Sequence, residues 1–201
     1  MTRKHLVMAF LSLVFAADIA CSSELTTFKP TYDSAIKSDS GRIRDGIRQL
    51  DDMIPRAEQV GGLTVLKGSL LCKLADLDLF FWNKLVDVNN GVALMKKGMD
   101  LVESDKRNLY DGTDILIVRL AMGITSGHIP SAFQSPQVCI KELEASIKTP
   151  EFSSVIPSTR AEAFALLSKK YLEKGQKQEA DQYRQMAISI DRDTAKSILK
   201  M

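Results

Sequence analysis

The sequence predicts an all-α protein, folded as an array of antiparallel helical hairpins. Apolar residues recur at intervals of three and four along most of the chain beyond residue 40, the spacing that lines one face of a helix. No segment alternates apolar and polar residues, as a half-buried strand would. The apolar stripes are separated by glycines, prolines and asparagines, the residues that stop helices and turn chains.

The first residues stand apart. Arg3, Lys4 and His5 precede the apolar run LVMAFLSLVFAA (residues 6–17), and small residues follow. A basic start, a short apolar centre and a small-residue exit predict a secretory signal peptide over residues 1–22. The run is too short for a permanent membrane span. Ala20 and Ser22 suit a signal peptidase, with Ser23 as the new first residue. Alternatively Cys21 becomes the lipidated start of a lipoprotein, because Ala20-Cys21 resembles the end of a bacterial lipobox; Asp18 departs from that motif, which carries an aliphatic residue there. Either route predicts export to the periplasm, with membrane attachment only through a lipid on Cys21.

Residues 23–39 are polar and turn-rich and read as a flexible linker, leaving residues 40–201 as the helical domain. Ile43, Ile47, Leu50 and Ile54 form the first stripe, which Pro55 ends for want of an N–H. Gly61-Gly62 break the chain before Leu63, Leu66, Leu70 and Leu74. Phe80, Phe81 and Trp82 open a third helix and read as core rather than as a binding surface. It weakens at Asn89-Asn90-Gly91, after which Leu94, Met95 and Leu101 carry a fourth. ILIVRLAMGI (residues 115–124) is capped by Asp111 or Thr113 and stops near Gly127. Ser135-Pro136 pairs an N-cap with proline at the first helical position, and Cys139, Leu143 and Ile147 follow on one face up to Pro150. Thr159 and Glu162 have the spacing of a capping box. That helix runs to Gly175, and a partner helix occupies residues 177–190. Cys72 and Cys139 are open to two readings, a disulfide permitted by export or two buried thiols.

Residues 161–194, AEAFALLSKKYLEKGQKQEADQYRQMAISIDRDT, resemble one tetratricopeptide repeat over its 34-residue period. Phe164, Leu167, Tyr171, Gly175, Ala180 and Ala187 occupy the large, turn and small positions, and Ile190-Asp191 the closing pair. Ser168, Arg184 and Arg192 depart from the pattern. The resemblance implies a superhelix of stacked hairpins, with residues 193–200 capping the last repeat. It also implies a groove that takes a protein or peptide partner, lined here by Glu162, Ala165, Lys169, Leu172 and Glu173.

Chemistry is sparsely represented. Of two histidines, His5 lies in the predicted signal and His128 stands alone past a glycine. The chain has no HExxH, CxxC or GxSxG motif and no phosphate loop. No enzyme, cofactor or metal site is therefore expected. The 27 basic and 25 acidic residues give a formal charge of +2 with no long run of one sign, so no nucleic-acid surface is expected. Arg119, inside ILIVRLAM, is costly to bury unpaired. It is read as snorkelling to the surface or pairing with a carboxylate of a neighbouring helix, or else as lining a pocket and anchoring a carboxylate. The leading functional expectation is a non-catalytic exported scaffold that binds another protein in the cell envelope, as an accessory to an assembly or transport system. The alternative is a small-ligand binder with an apolar pocket around Arg119.

Overall fold

The computed structural model describes residues 23–78 and 80–200. Among them are nine α-helices and no strand: α1 (Glu24–Ile36), α2 (Ser40–Met53), α3 (Val60–Leu77), α4 (Phe81–Ser104), α5 (Gly112–His128), α6 (Pro136–Ile147), α7 (Pro157–Glu173), α8 (Lys177–Ile190) and α9 (Arg192–Leu199). The all-α expectation holds. The readings of residues 1–22 as a signal and of Cys21 as a lipid site lie outside the described residues.

Helix α1 corrects the linker expected over residues 23–39. The Ser23 side chain caps it by accepting the Thr26 N–H at 3.0 Å. Leu25 is fully buried and Phe28 nearly so. Their burial outweighs the turn character of Pro30, Thr31 and Ser34, because local propensity is a weak prior against tertiary packing. The Leu25 N–H donates to Gln59 Oε1 at 3.1 Å, and Gln59 Nε2 donates at 2.6 Å to the Leu109 carbonyl and to buried Asp114. Further along, the Tyr32 hydroxyl lies 2.7 Å from Ser69 Oγ, which lies 2.6 Å from Thr125 Oγ1. This chain of hydroxyls ties α1 to α3 and α5.

Glycine has a different role here from the one its sequence position suggests. Gly61-Gly62 begin α3, and Asn89-Asn90-Gly91 lie within a continuous α4, so the third and fourth expected helices are one. A Cβ on Gly68 would sit 2.6 Å from the Gly91 carbonyl oxygen, and one on Gly98 would sit 2.6 Å from that of Gly61. The two glycines of each helix are seven residues apart, two helical turns, so they share a face. Backbone therefore meets backbone along α3 and α4, which form the most extensive helix pair.

Helices α5 and α6, and α7 and α8, form further pairs, and α9 packs on both α7 and α8. Between pairs, α3 contacts α5, α5 contacts α7, and α6 contacts α7. Helix α5 is the hub. Its Ile117, Val118, Ala121 and Met122 join the core of α1–α4, while Leu116 and Leu120 join a second core with Leu143, Leu166 and Leu167. Burial on two sides accounts for a helix that is apolar nearly all round.

Several caps follow expectation. Asp111 accepts the Asp114 N–H at 2.8 Å, Ser135 caps α6 ahead of Pro136, and Gly175 turns the chain at φ +76°. The capping box does not form. Helix α7 starts earlier, at Pro157 after Ile156, which places Thr159 inside its first turn; the preset φ of proline favours that earlier start.

Candidate functional site

The positions that the repeat resemblance assigns to a groove do not all face solvent. Lys169, Leu172 and Glu173 on α7 are exposed, Leu172 by 59%. Ala165 is fully buried with Ala187 and Ala195, under α8 and α9. Its assignment to a partner groove is corrected by that packing: the close approach its small side chain permits is to its own hairpin and the terminal helix. Glu162 meets His128, whose Nε2 lies 2.8 Å from Glu162 Oε1. Glu173 accepts from Ser131 Oγ at 2.9 Å and from Lys170 Nζ at 3.2 Å. Lys170 is only 2% exposed. Helix spacing alone does not distinguish this buried lysine from its exposed neighbour Lys169.

Arg119 is paired. Its Nε lies 3.8 Å from Glu142 Oε2, and Lys141 Nζ reaches Glu142 Oε1 at 3.3 Å. The Glu142 side chain is buried, so two cations offset a charge that would be costly alone. Beside this pair a cleft of about 610 Å³ opens to solvent, lined by Arg119, Lys141, Glu144, Ala145, Lys148, Thr149 and Pro150. A second, of about 450 Å³, lies between α1 and α2 at Pro30, Ala35, Arg42 and Gly46. None of the five expected groove residues lines either cleft.

Tyr171 and Tyr183 serve packing. Tyr171 and Tyr183 stack at 5.5 Å between centroids, and both hydroxyls donate to Glu144 Oε1, that of Tyr183 at 3.2 Å. Phe164 stacks on Tyr183 and meets Phe152 edge-on at 5.7 Å. Cys72 and Cys139 are free, buried thiols in separate cores, and burial pushes each up to about 12. The disulfide reading is set aside.

The largest departure from expectation is at the α3–α4 turn. Phe80 is 70% exposed and Trp82 77%, with Val86 at 57% and Leu77 at 42% beside them. Phe80 and Trp82 were expected in the core. They sit instead at the tip of the hairpin, where the Asp78 carboxylate accepts the Phe80 N–H at 2.8 Å and starts α4. Aromatic run length could not reveal this, because the pattern is the same whether the end of a hairpin is covered or bare.

Among the described residues no helix is long and apolar enough to cross a membrane, and no group of three or more His, Cys, Asp or Glu could hold a metal. No family model, curated protein or solved structure matches the chain.

Proposed function

We propose that this is a non-catalytic exported binding protein, with the α3–α4 tip as its docking site for an apolar cleft on another protein. The exposed cluster of Leu77, Phe80, Trp82 and Val86 carries this reading. Large apolar side chains exposed side by side mark interaction surfaces, and Trp in particular is enriched where partners bind most strongly.

In this reading the four helix pairs α1/α2, α3/α4, α5/α6 and α7/α8, closed by α9, form a tetratricopeptide-like array. The contacts of α3 with α5, α5 with α7 and α6 with α7 support it, since stacked repeats meet in this way. The exposed residues of α7, Lys169 and Leu172 with Glu173, form a second surface on the same stack.

Capture of an established partner tests the assignment. Phe80→Asp with Trp82→Ala is expected to abolish capture, while Lys169→Glu with Leu172→Ala leaves it intact. The opposite pattern transfers the site to the α7 face. Capture unaffected by either pair removes both.

A further inference from the structure

We infer that the Arg119 cleft is a binding site for a small carboxylate with an aliphatic body. Three cations line it, Arg119 from α5, Lys141 from α6 and Lys148 just past its end, against one lining carboxylate, Glu144. That carboxylate is engaged through Oε1 by the hydroxyls of Tyr171 and Tyr183. Buried Glu142 draws on Arg119 and Lys141, and Glu103 on Lys141 at 2.8 Å. Lys148 has no ion-pair partner among the described residues and is exposed. The cleft thus keeps a guanidinium at its wall and an uncommitted ammonium at its mouth.

The rest of the lining selects among anions. Ala145 and Pro150 present apolar surface, and apolar atoms predominate over the lining as a whole. Such a floor suits a hydrocarbon body and offers nothing to a naked inorganic anion. Lys148 is also the C-cap of α6. The following turn begins at Pro150, which has no N–H to donate. One carboxylate matches an arginine fork and a lysine, and the apolar lining gives its hydrocarbon body contacts that inorganic phosphate has no group to make. The volume lies in the range of small-molecule sites, and the open side predicts modest affinity.

This site is independent of the α3–α4 tip, so either can fail alone. The test is titration of the ¹⁵N-labelled full chain with hexanoate, hexanamide and inorganic phosphate, followed in amide spectra. Hexanoate is expected to shift the amides of residues 141–149, with hexanamide and phosphate at least about tenfold weaker. Lys148→Glu, at an exposed position that does not threaten the fold, is expected to weaken hexanoate by about tenfold or more; Lys177→Glu, away from the cleft, leaves it unchanged. Equal shifts from hexanamide, equal binding of phosphate, shifts centred elsewhere, no shift at all, or indifference to Lys148→Glu would each overturn the inference.

Discussion

Replacing Gly68 by alanine tests the backbone contact between α3 and α4. On an exposed helix the substitution stabilises by about 1 kcal/mol, because alanine is the better helix former. Here the new Cβ would stand 2.6 Å from the Gly91 carbonyl oxygen and 2.8 Å from the backbone nitrogen of Met95. Ordinary Cβ contacts begin at 3.4 Å, so the helices must part by about 0.8 Å at that point. Opposing atoms include backbone, so no side-chain rotation relieves the clash. Overpacking of this kind costs about 1–3 kcal/mol, and parting the helices also loosens Leu66, Leu70 and Met95, all fully buried. Net of the propensity gain, Gly68→Ala should destabilise by about 0–2 kcal/mol, lowering Tm by up to roughly 8 °C. Gly91→Ala should behave alike, since its Cβ would meet Cys72 Sγ and, at 2.6 Å, the Gly68 carbonyl. Urea unfolding followed by circular dichroism measures both. A stabilised Gly68→Ala protein would refute backbone contact between the helices.

Leu25→Ala, in the helix that replaces the expected linker, should cost about 2–4 kcal/mol by the same assay; an effect near zero would return residues 24–36 to the status of a tether. Cys72 and Cys139 should resist iodoacetamide at pH 8 in the native protein and react after denaturation, as peptide mapping will show, because burial raises both thiols to about 12. Labelling at the rate of free cysteine would contradict their burial. The Asp191 carboxylate is held below its usual range mainly by the Thr194 N–H, with the Thr194 side chain and the Asp193 N–H adding to it. Its contribution to α9 is therefore full above the ordinary carboxylate pKa and is lost as pH falls through the lowered folded value. Amide protection factors in residues 192–199, taken relative to the intrinsic exchange rate at each pH, should fall on that descent, and Asp191→Ala should show the lower protection already at neutral pH.

What the sequence conveyed depended on how local each signal was. Asp111, Ser135-Pro136 and Gly175 act within a few residues of themselves, and each stands where it was expected. The helical periodicity of α5 was plain in ILIVRLAM, and the cost of an unpaired charge left Arg119 to snorkel to the surface or to pair with a carboxylate, of which the structure shows the pair with Glu142. Longer-range features were hidden. Gly91 looks like a helix break unless Gly68 is known to lie against it. Leu25 and Phe28 are two apolar residues in a polar stretch until Gln59 and Asp114 fix the helix that carries them. Ala165 fits both a groove and a helix contact, and only the position of α9 decides between them. The exposed tip was misread for the same reason: whether Phe80 and Trp82 are covered depends on which helices reach the end of a hairpin, and nothing within the run Phe80–Trp82 records that.

Trp82 is the only tryptophan in the chain, and replacing it by a photo-crosslinking amino acid in the native cell places a reporter at the α3–α4 tip itself. The docking role predicts one discrete protein adduct from position 82, lost when Phe80→Asp is added and not formed from a crosslinker at Gln182, an exposed position on α8. The same adducts from both positions, or an adduct from position 82 that persists with Phe80→Asp, would contradict it.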